Sequence, residues 1–238
     1  MNNLVRMVAL PLAMSAAGLA GTASAAIVEF TGQTVKYVFD TGSDSLDGYL
    51  DLYGSVQVLP GTDTLRFLPD GWIAQAQYGG APVASANDTI NFSVVALDGS
   101  TTIQSVSLSG GGDYYKVGGF VGVGGELRVN STDIAKISAG DFSTTLGPGD
   151  PIVTTTWTES ASLGGYNASS LALTVENLLS ARIVTLDNGN VVFNGIDAFI
   201  EKKYVDISVS TVPVPAAAWL MVSALGVAGF SLRKRREG

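Results

Sequence analysis

The 238-residue chain contains no cysteine and no histidine. Without these residues it cannot build a Ser-His-Asp triad, a cysteine nucleophile, a thiolate zinc site or a histidine-ligated metal centre. It also cannot form disulfide bonds, so its folded part depends on its core for stability. The composition excludes a large part of enzyme chemistry, and we expect a protein without catalytic residues.

Charged residues are scarce, at 14% of the chain, and they are unevenly distributed. Residues 26–212 hold 8 basic and 20 acidic residues, a net charge of −12, whereas four basic residues lie together near the C-terminus. An acidic surface repels nucleic acid and weakly attracts cations. We therefore expect no nucleic-acid partner.

Residues 1–25 are typical of a signal peptide. Arg6 precedes a largely apolar run over residues 7–20, and Ala23-Ser24-Ala25 forms an A-x-A cleavage site. The alternative is a membrane helix that stays attached, but the apolar run is short of the roughly 20 residues that a span needs. The sequence predicts cleavage after Ala25 and export from the cytoplasm.

The C-terminal segment predicts a membrane anchor. Residues 216–232 are uncharged and long enough for a short transmembrane helix, with Trp219 near the expected interface. The flanking cluster of basic residues places the C-terminus in the cytoplasm, and comprises Arg233, Lys234, Arg235 and Arg236. The alternative, a buried helix of a soluble domain, is disfavoured by four consecutive basic residues.

The same segment resembles a PEP-CTERM sorting signal of the VPLPA type. The motif is Val212-Pro213-Val214-Pro215-Ala216, followed by the apolar run and the basic cluster, with valine at position 214 where leucine is usual. The resemblance implies processing by an exosortase-type enzyme of the inner membrane of a Gram-negative bacterium. It further implies delivery to the cell surface or extracellular matrix, often alongside exopolysaccharide production. It covers residues 212–238 only and concerns sorting.

Residues 26–211 are typical of one all-β domain. Short β-like runs alternate with turn signals, and helical periodicity is nearly absent. The sequence predicts an antiparallel, jelly-roll-like β-sandwich of roughly eight to twelve strands. The expected strands cover residues 27–30 with 34–39, 49–58, 89–97 with 101–108, 183–186 with 191–193, and 198–200 with 204–209.

Two turns favour hairpins, and two segments are open to more than one interpretation. Asp98-Gly99-Ser100 and the turn at residues 187–190 both suit tight hairpin geometry. Residues 169–180 alternate like a strand, although their last apolar residues could continue a helix. Residues 109–125 hold eight glycines, which predicts a flexible loop and glycine-weakened strands.

Asp40-Thr41-Gly42 resembles the active-site signature of aspartic proteases, in which two aspartates share a proton. The chain supplies one such motif, so a protease would need a homodimer. The alternative is an ordinary turn after a strand, where aspartate and glycine are common.

Other residues suggest binding. The acidic residues Asp40, Asp44, Asp47 and Asp51 could hold calcium, although a solvated polar loop explains them as well. Aromatic residues could stack on sugars or could pack in the core or in turns, and these are Tyr114, Tyr115, Trp157 and Tyr166. Glutamates that could pair for glycoside hydrolysis receive no role, because sequence spacing does not show which ones face each other.

Together these features predict an exported surface or matrix protein that acts in adhesion or exopolysaccharide association, with no cofactor. The alternative is a calcium- or carbohydrate-binding module of the same fold. An aspartyl protease that uses Asp40-Thr41-Gly42 is a remote alternative.

Overall fold

The computed structural model describes residues 27–40, 50–77, 79–140, 142–147, 149–183 and 197–214, and within them twelve strands and one four-residue helix. In chain order these elements are β1 (Ile27–Thr31), β2 (Val35–Asp40), α1 (Leu50–Tyr53), β3 (Ser55–Val58), β4 (Thr64–Leu68), β5 (Ile73–Gln77), β6 (Val83–Ala96), β7 (Thr101–Val117), β8 (Gly119–Val129), β9 (Asp133–Gly140), β10 (Thr155–Ala168), β11 (Ser170–Ile183) and β12 (Asp197–Pro213).

The strands form two six-stranded antiparallel sheets. The first sheet has the order β1-β2-β6-β11-β8-β9, and the second has the order β10-β7-β12-β4-β3, with β5 also pairing with β12. Buried side chains from both sheets join in one hydrophobic core. The prediction of an all-β fold with antiparallel sheets is therefore confirmed.

Strict alternation of apolar residues builds the core. In β2 the residues Val35, Tyr37 and Phe39 are buried, and β11 buries every second residue along its whole length. This period of two is what a half-buried strand requires. Residues 170–183 are therefore a strand throughout, and the helical alternative is excluded.

Strand β12 is the central strand of the second sheet. One edge pairs with β7 over almost its full length, and the other edge pairs first with β5 and then with β4. The register shifts between Lys202 and Tyr204, which places a bulge in the middle of the strand. The two predicted closing strands, at residues 198–200 and 204–209, are thus one strand with a bulge between them.

The predicted pairing of the two strands that flank Asp98-Gly99-Ser100 is wrong. The turn itself is present, since the Ser100 N–H donates to Asp98 Oδ1 at 3.0 Å. However, β6 belongs to the first sheet and β7 to the second. The turn carries the chain across the sandwich, and each strand finds its partners elsewhere.

Two other segments differ from the prediction. Residues 50–53 form the helix α1, and only Ser55–Val58 of the expected 49–58 strand is extended. Gly54 between them has a φ of 66°, a left-handed conformation that breaks the strand. Of the flexible loop and glycine-weakened strands predicted for residues 109–125, the strands are present, because residues 109–117 belong to β7 and residues 119–125 to β8.

Among the described residues, no helix has both the length and the apolar character needed to cross a membrane. The predicted transmembrane helix, residues 216–232, lies outside the described part of the chain, as do the signal peptide and most of the second predicted hairpin.

Candidate functional site

The outer face of the second sheet carries a stacked pair of partly exposed aromatic rings. Phe199 on β12 lies in register between Tyr115 on β7 and Gln75 on β5. The rings of Phe199 and Tyr115 are nearly parallel, with centroids 5.2 Å apart and 13° between their planes. This arrangement presents an aromatic surface beside polar groups.

Those polar groups are tied to the pair by hydrogen bonds. The Tyr115 hydroxyl donates to Asp197 Oδ2 at 2.8 Å, and Gln75 Nε2 donates to the Tyr115 oxygen at 3.3 Å. Partial burial and the neighbouring Asp197 carboxylate raise the pKa of Tyr115 to about 12. The phenol therefore keeps its proton at neutral pH and holds a fixed orientation.

A third aromatic ring lies on the same face, beyond the β12 bulge. Tyr204 covers Gly111, where a Cβ atom would come within 2.5 Å of the tyrosine ring, so a larger residue there would have to displace the ring. The Arg66 guanidinium lies 5.0 Å from the ring centroid. Arg66 is in turn held by Asp206, with Nε–Oδ1 at 2.7 Å and Nη2–Oδ2 at 2.6 Å.

Rows of hydroxyl groups extend from these rings across the sheet. Asp206 is in register with Ser109 of β7, and Ser109 with Ser160 of β10. Facing side chains of neighbouring strands point to the same side of a sheet. The hydroxyl residues on this face are Thr64, Ser107, Ser109, Thr156, Thr158, Ser160, Ser162 and Ser208.

The charges on this face are neutralised locally. Lys203 at the bulge pairs with Asp113 and with Glu201, whose Oε1 lies 3.1 Å from Nζ. These carboxylates raise the pKa of Lys203. Because Arg66 is also paired, the face presents no excess of positive charge.

The aromatic candidates from the sequence divide between core and surface. Tyr114 and Trp157 are buried, at 3% and 4% exposure, so the core-packing interpretation is correct for both. Tyr166 is half-buried, and its hydroxyl donates to Asp133 Oδ2 at 3.0 Å. Of the four, Tyr115 is the one that belongs to the face described above.

The acidic candidates are only partly described. Asp40 ends β2 with an exposed side chain, whereas Thr41, Gly42, Asp44 and Asp47 lie outside the described residues. Asp51 is in α1, and its side chain is outside the described set. Among described residues, no group of three or more acidic side chains is placed to hold a metal ion. The calcium and protease hypotheses therefore stay predictions.

The first residues of the sorting motif are part of the sheet. Val212 and Pro213 pair with Thr102 and Thr101 of β7, and the Val214 N–H donates to Ser100 O at 2.6 Å. The other residues of the predicted targeting segments lie outside the described chain, and these are Ala23, Ala25, Pro215, Ala216, Trp219, Arg233, Lys234, Arg235 and Arg236.

Two of the glutamates face each other on neighbouring strands of the first sheet. Glu126 on β8 is in register with Glu176 on β11. Hydrogen bonds from Arg128 and Lys136 lower the pKa of Glu126, so it is held as a carboxylate. A glycosidase acid needs a raised pKa, whereas the pKa of Glu126 is lowered.

The interior contains a polar cluster that sequence reasoning missed. Lys202 and Asn177 are 3% and 1% exposed, on facing strands of the two sheets. Lys202 Nζ donates to Asn177 Oδ1 at 2.6 Å, and Asn177 Nδ2 donates to the Tyr53 oxygen at 3.1 Å. In the sequence Lys202 stands between two charged residues and looks like a solvated surface group.

Comparison with protein-family models gives no matching family, and comparison with curated proteins gives no match.

Proposed function

We propose that this chain is an exported, non-enzymatic surface or matrix protein that binds a neutral polysaccharide through the outer face of its second sheet. The proposal includes a cleaved signal peptide over residues 1–25, a transmembrane helix over 216–232 and sorting by an exosortase-type enzyme of the inner membrane. It also includes a jelly-roll-like connectivity of the sandwich. The expected destination is the cell surface or extracellular matrix of a Gram-negative bacterium.

The observation that carries the binding proposal is the combination of aromatic rings and ordered polar groups on the outer face of the second sheet. Sugar rings offer apolar C–H faces and a rim of hydroxyl groups. The rings of Tyr115, Phe199 and Tyr204 offer surface on which the C–H faces can stack. Gln75, Asp197 and the serine and threonine rows offer donors and acceptors to the sugar hydroxyl groups.

Charge selects a neutral polysaccharide over an anionic one. The two basic residues of the face are already paired with carboxylates, and the surrounding chain is acidic. An anionic polymer would meet repulsion and, among the residues that the structure describes, would find no unpaired cation on this face. A neutral glucan or galactan meets neither difficulty.

Calorimetric titration of the full chain with soluble neutral polysaccharides tests this proposal. We expect saturable heat with at least one of them, and an affinity about fivefold weaker for Tyr115→Ala and for Tyr204→Ala, because each removes a ring worth about 1 kcal/mol of contact. Thr174→Ala, on the exposed side of the first sheet, is the matched control and should bind like the wild type.

Thermal melts should show that all three variants are folded. The proposal fails if the wild type gives no heat with any neutral polysaccharide. It also fails if the ring variants bind as well as the Thr174→Ala control.

A further inference from the structure

Lys202 and Asn177 meet in the centre of the sandwich, and they come from different sheets. Lys202 projects inward from β12 of the second sheet, and Asn177 projects inward from β11 of the first. The lysine nitrogen lies 2.6 Å from the amide oxygen. An amine and a carboxamide are therefore held together in a site that excludes water.

The surroundings of Lys202 are aromatic. Nζ lies 5.1 Å from the centroid of the Trp72 ring and 5.7 Å from that of Trp157. Gly110 lies beside the amine, since a Cβ atom there would be in ordinary contact with Nζ at 3.8 Å. Among the described residues, no carboxylate forms an ion pair with Lys202.

Burial without a counter-charge favours the neutral amine. Desolvation lowers the pKa of Lys202 from its ordinary value to about 7. Near neutral pH a large fraction of the folded chains thus carries a nucleophilic amine at this position.

We propose that Lys202 and Asn177 join in an intramolecular isopeptide bond that links the two sheets through the core. The lysine Nζ attacks Asn177 Cγ, the new C–N bond forms, and the bond from Cγ to Nδ2 breaks. One proton moves from Nζ to Nδ2, and ammonia leaves. The reactants are a primary amine and a carboxamide, the products are a secondary amide and ammonia, and no oxidant or cofactor takes part.

Two neighbours of Asn177 can assist the proton transfer. The Tyr53 hydroxyl contacts Nδ2, the leaving nitrogen, and itself donates to Val175 O at 3.1 Å. Asp88 on β6 is directly opposite Asn177 in register, so its carboxyl group lies on the same inward face. Burial raises the pKa of Asp88, so its carboxyl group takes up a proton more readily than that of an exposed aspartate.

The location of the bond suits a chain without cysteine. A covalent link between β11 and β12 closes the connection between them and restrains the unfolded state, as a disulfide does elsewhere. The link would fasten the last strand of the sandwich, whose end leads into the sorting motif, to the opposite sheet.

Mass spectrometry of the purified full chain under denaturing conditions tests the proposal. We expect tryptic digestion of the wild type to yield one branched peptide in which residues 137–182 are joined to residues 183–203, lighter by one ammonia than the sum of its parts. Lys203→Gln, which changes the neighbouring exposed lysine, should keep the link. Lys202→Met and Asn177→Ala should abolish it.

The assignment of the proton carrier has its own comparison. Asp88→Asn should reduce the linked fraction at least tenfold, whereas Glu159→Gln, on the inward face of β10 opposite Gly110, should leave it unchanged. The digest of the wild-type chain alone shows whether Lys202 and Asn177 are covalently linked. Recovery of the two peptides separately, each at its full mass, would overturn the isopeptide proposal and leave Lys202 and Asn177 as a hydrogen-bonded pair.

Discussion

Gly112→Ala should destabilise the folded chain by about 3 kcal/mol or more, since the added methyl group has no space in the sheet. A Cβ atom at this position would overlap the carbonyl oxygen of Glu201 and lie 2.9 Å from its carbonyl carbon. The obstacle is backbone at the β12 bulge, so a rotamer change cannot relieve it. The measurement is the free energy of unfolding from denaturant titration.

Gly110→Ala is the matched control, two residues away in the same strand. Its Cβ atom would meet the Tyr204 carbonyl oxygen at 3.5 Å and the end of the Lys202 side chain at 3.8 Å, which are ordinary contact distances. We expect a change within about 1 kcal/mol, because alanine is also less costly than glycine to order in a strand. Equal destabilisation by both substitutions would contradict the packing described for the bulge.

Asn177→Ala should lower the free energy of unfolding by about 3 kcal/mol at neutral pH. It removes the acceptor of Lys202 and leaves a buried amine without a partner, together with a small cavity. Any covalent link to Lys202 is lost as well. Replacing both partners by apolar residues, as Lys202→Met with Asn177→Leu, should restore part of the stability, because no unpaired polar group then remains in the core.

The Asn177→Ala variant should also become more stable as the pH rises from about 7 towards 10. Its Lys202 keeps a free amine whose desolvation holds the pKa near 7, far below that of an unfolded lysine. In this window the unfolded state binds more protons than the folded state, so stability rises with pH, by up to about 5 kcal/mol.

The comparison for this slope is Asn177→Ala with Lys202→Met, in which the rise should be absent. Asp88 and Glu159 also face Lys202 from neighbouring elements, and both are retained in the double variant, so a slope produced by either would persist there. Burial raises the pKa of Tyr53, which therefore stays protonated. A slope that persists in the double variant would show that Lys202 is not the group responsible.

Alternating side chains made the strands predictable, but they did not reveal which strands pair. The inward residues of β2 and β11 follow a period of two that is visible in the sequence. The turn at Asp98-Gly99-Ser100 is visible too. Whether such a turn joins neighbours in one sheet or crosses between two sheets depends on long-range packing, which a local motif does not contain.

The glycine-rich segment shows why the residues packed around the β12 bulge, including Lys202, were not predicted from the sequence. In the sequence, Gly110, Gly111 and Gly112 predict a flexible loop, since glycine loses more conformational entropy on folding than other residues do. In the fold Gly111 and Gly112 make room for particular neighbours on β12, namely the Tyr204 ring and the Glu201 carbonyl, and Gly110 lies beside the Lys202 amine. Lys202 itself gives no signal, because a strand with a bulge changes which of two adjacent lysines points inward.

Only one residue on the outer face of the second sheet was a candidate from the sequence. Tyr115 was a candidate because of its residue type, but Phe199, Tyr204 and Arg66 lie far from it in the sequence. They come together because β12 lies between β7 on one side and β4 and β5 on the other. A composition rich in serine and threonine carries no information about which hydroxyl groups share a face.

The central claim is that this chain leaves the cytoplasm and reaches a polysaccharide-bearing surface, and fractionation of producing Gram-negative cells tests it most directly. Because Val212 and Pro213 belong to β12 and the Val214 N–H donates to Ser100 O, the deletion that removes the anchor should begin at Pro215. We predict that the wild-type chain begins at Ala26 and is found with the envelope or matrix, and that the deletion variant is released into the medium. A wild-type chain that stays in the cytosol with Met1 intact would contradict the account.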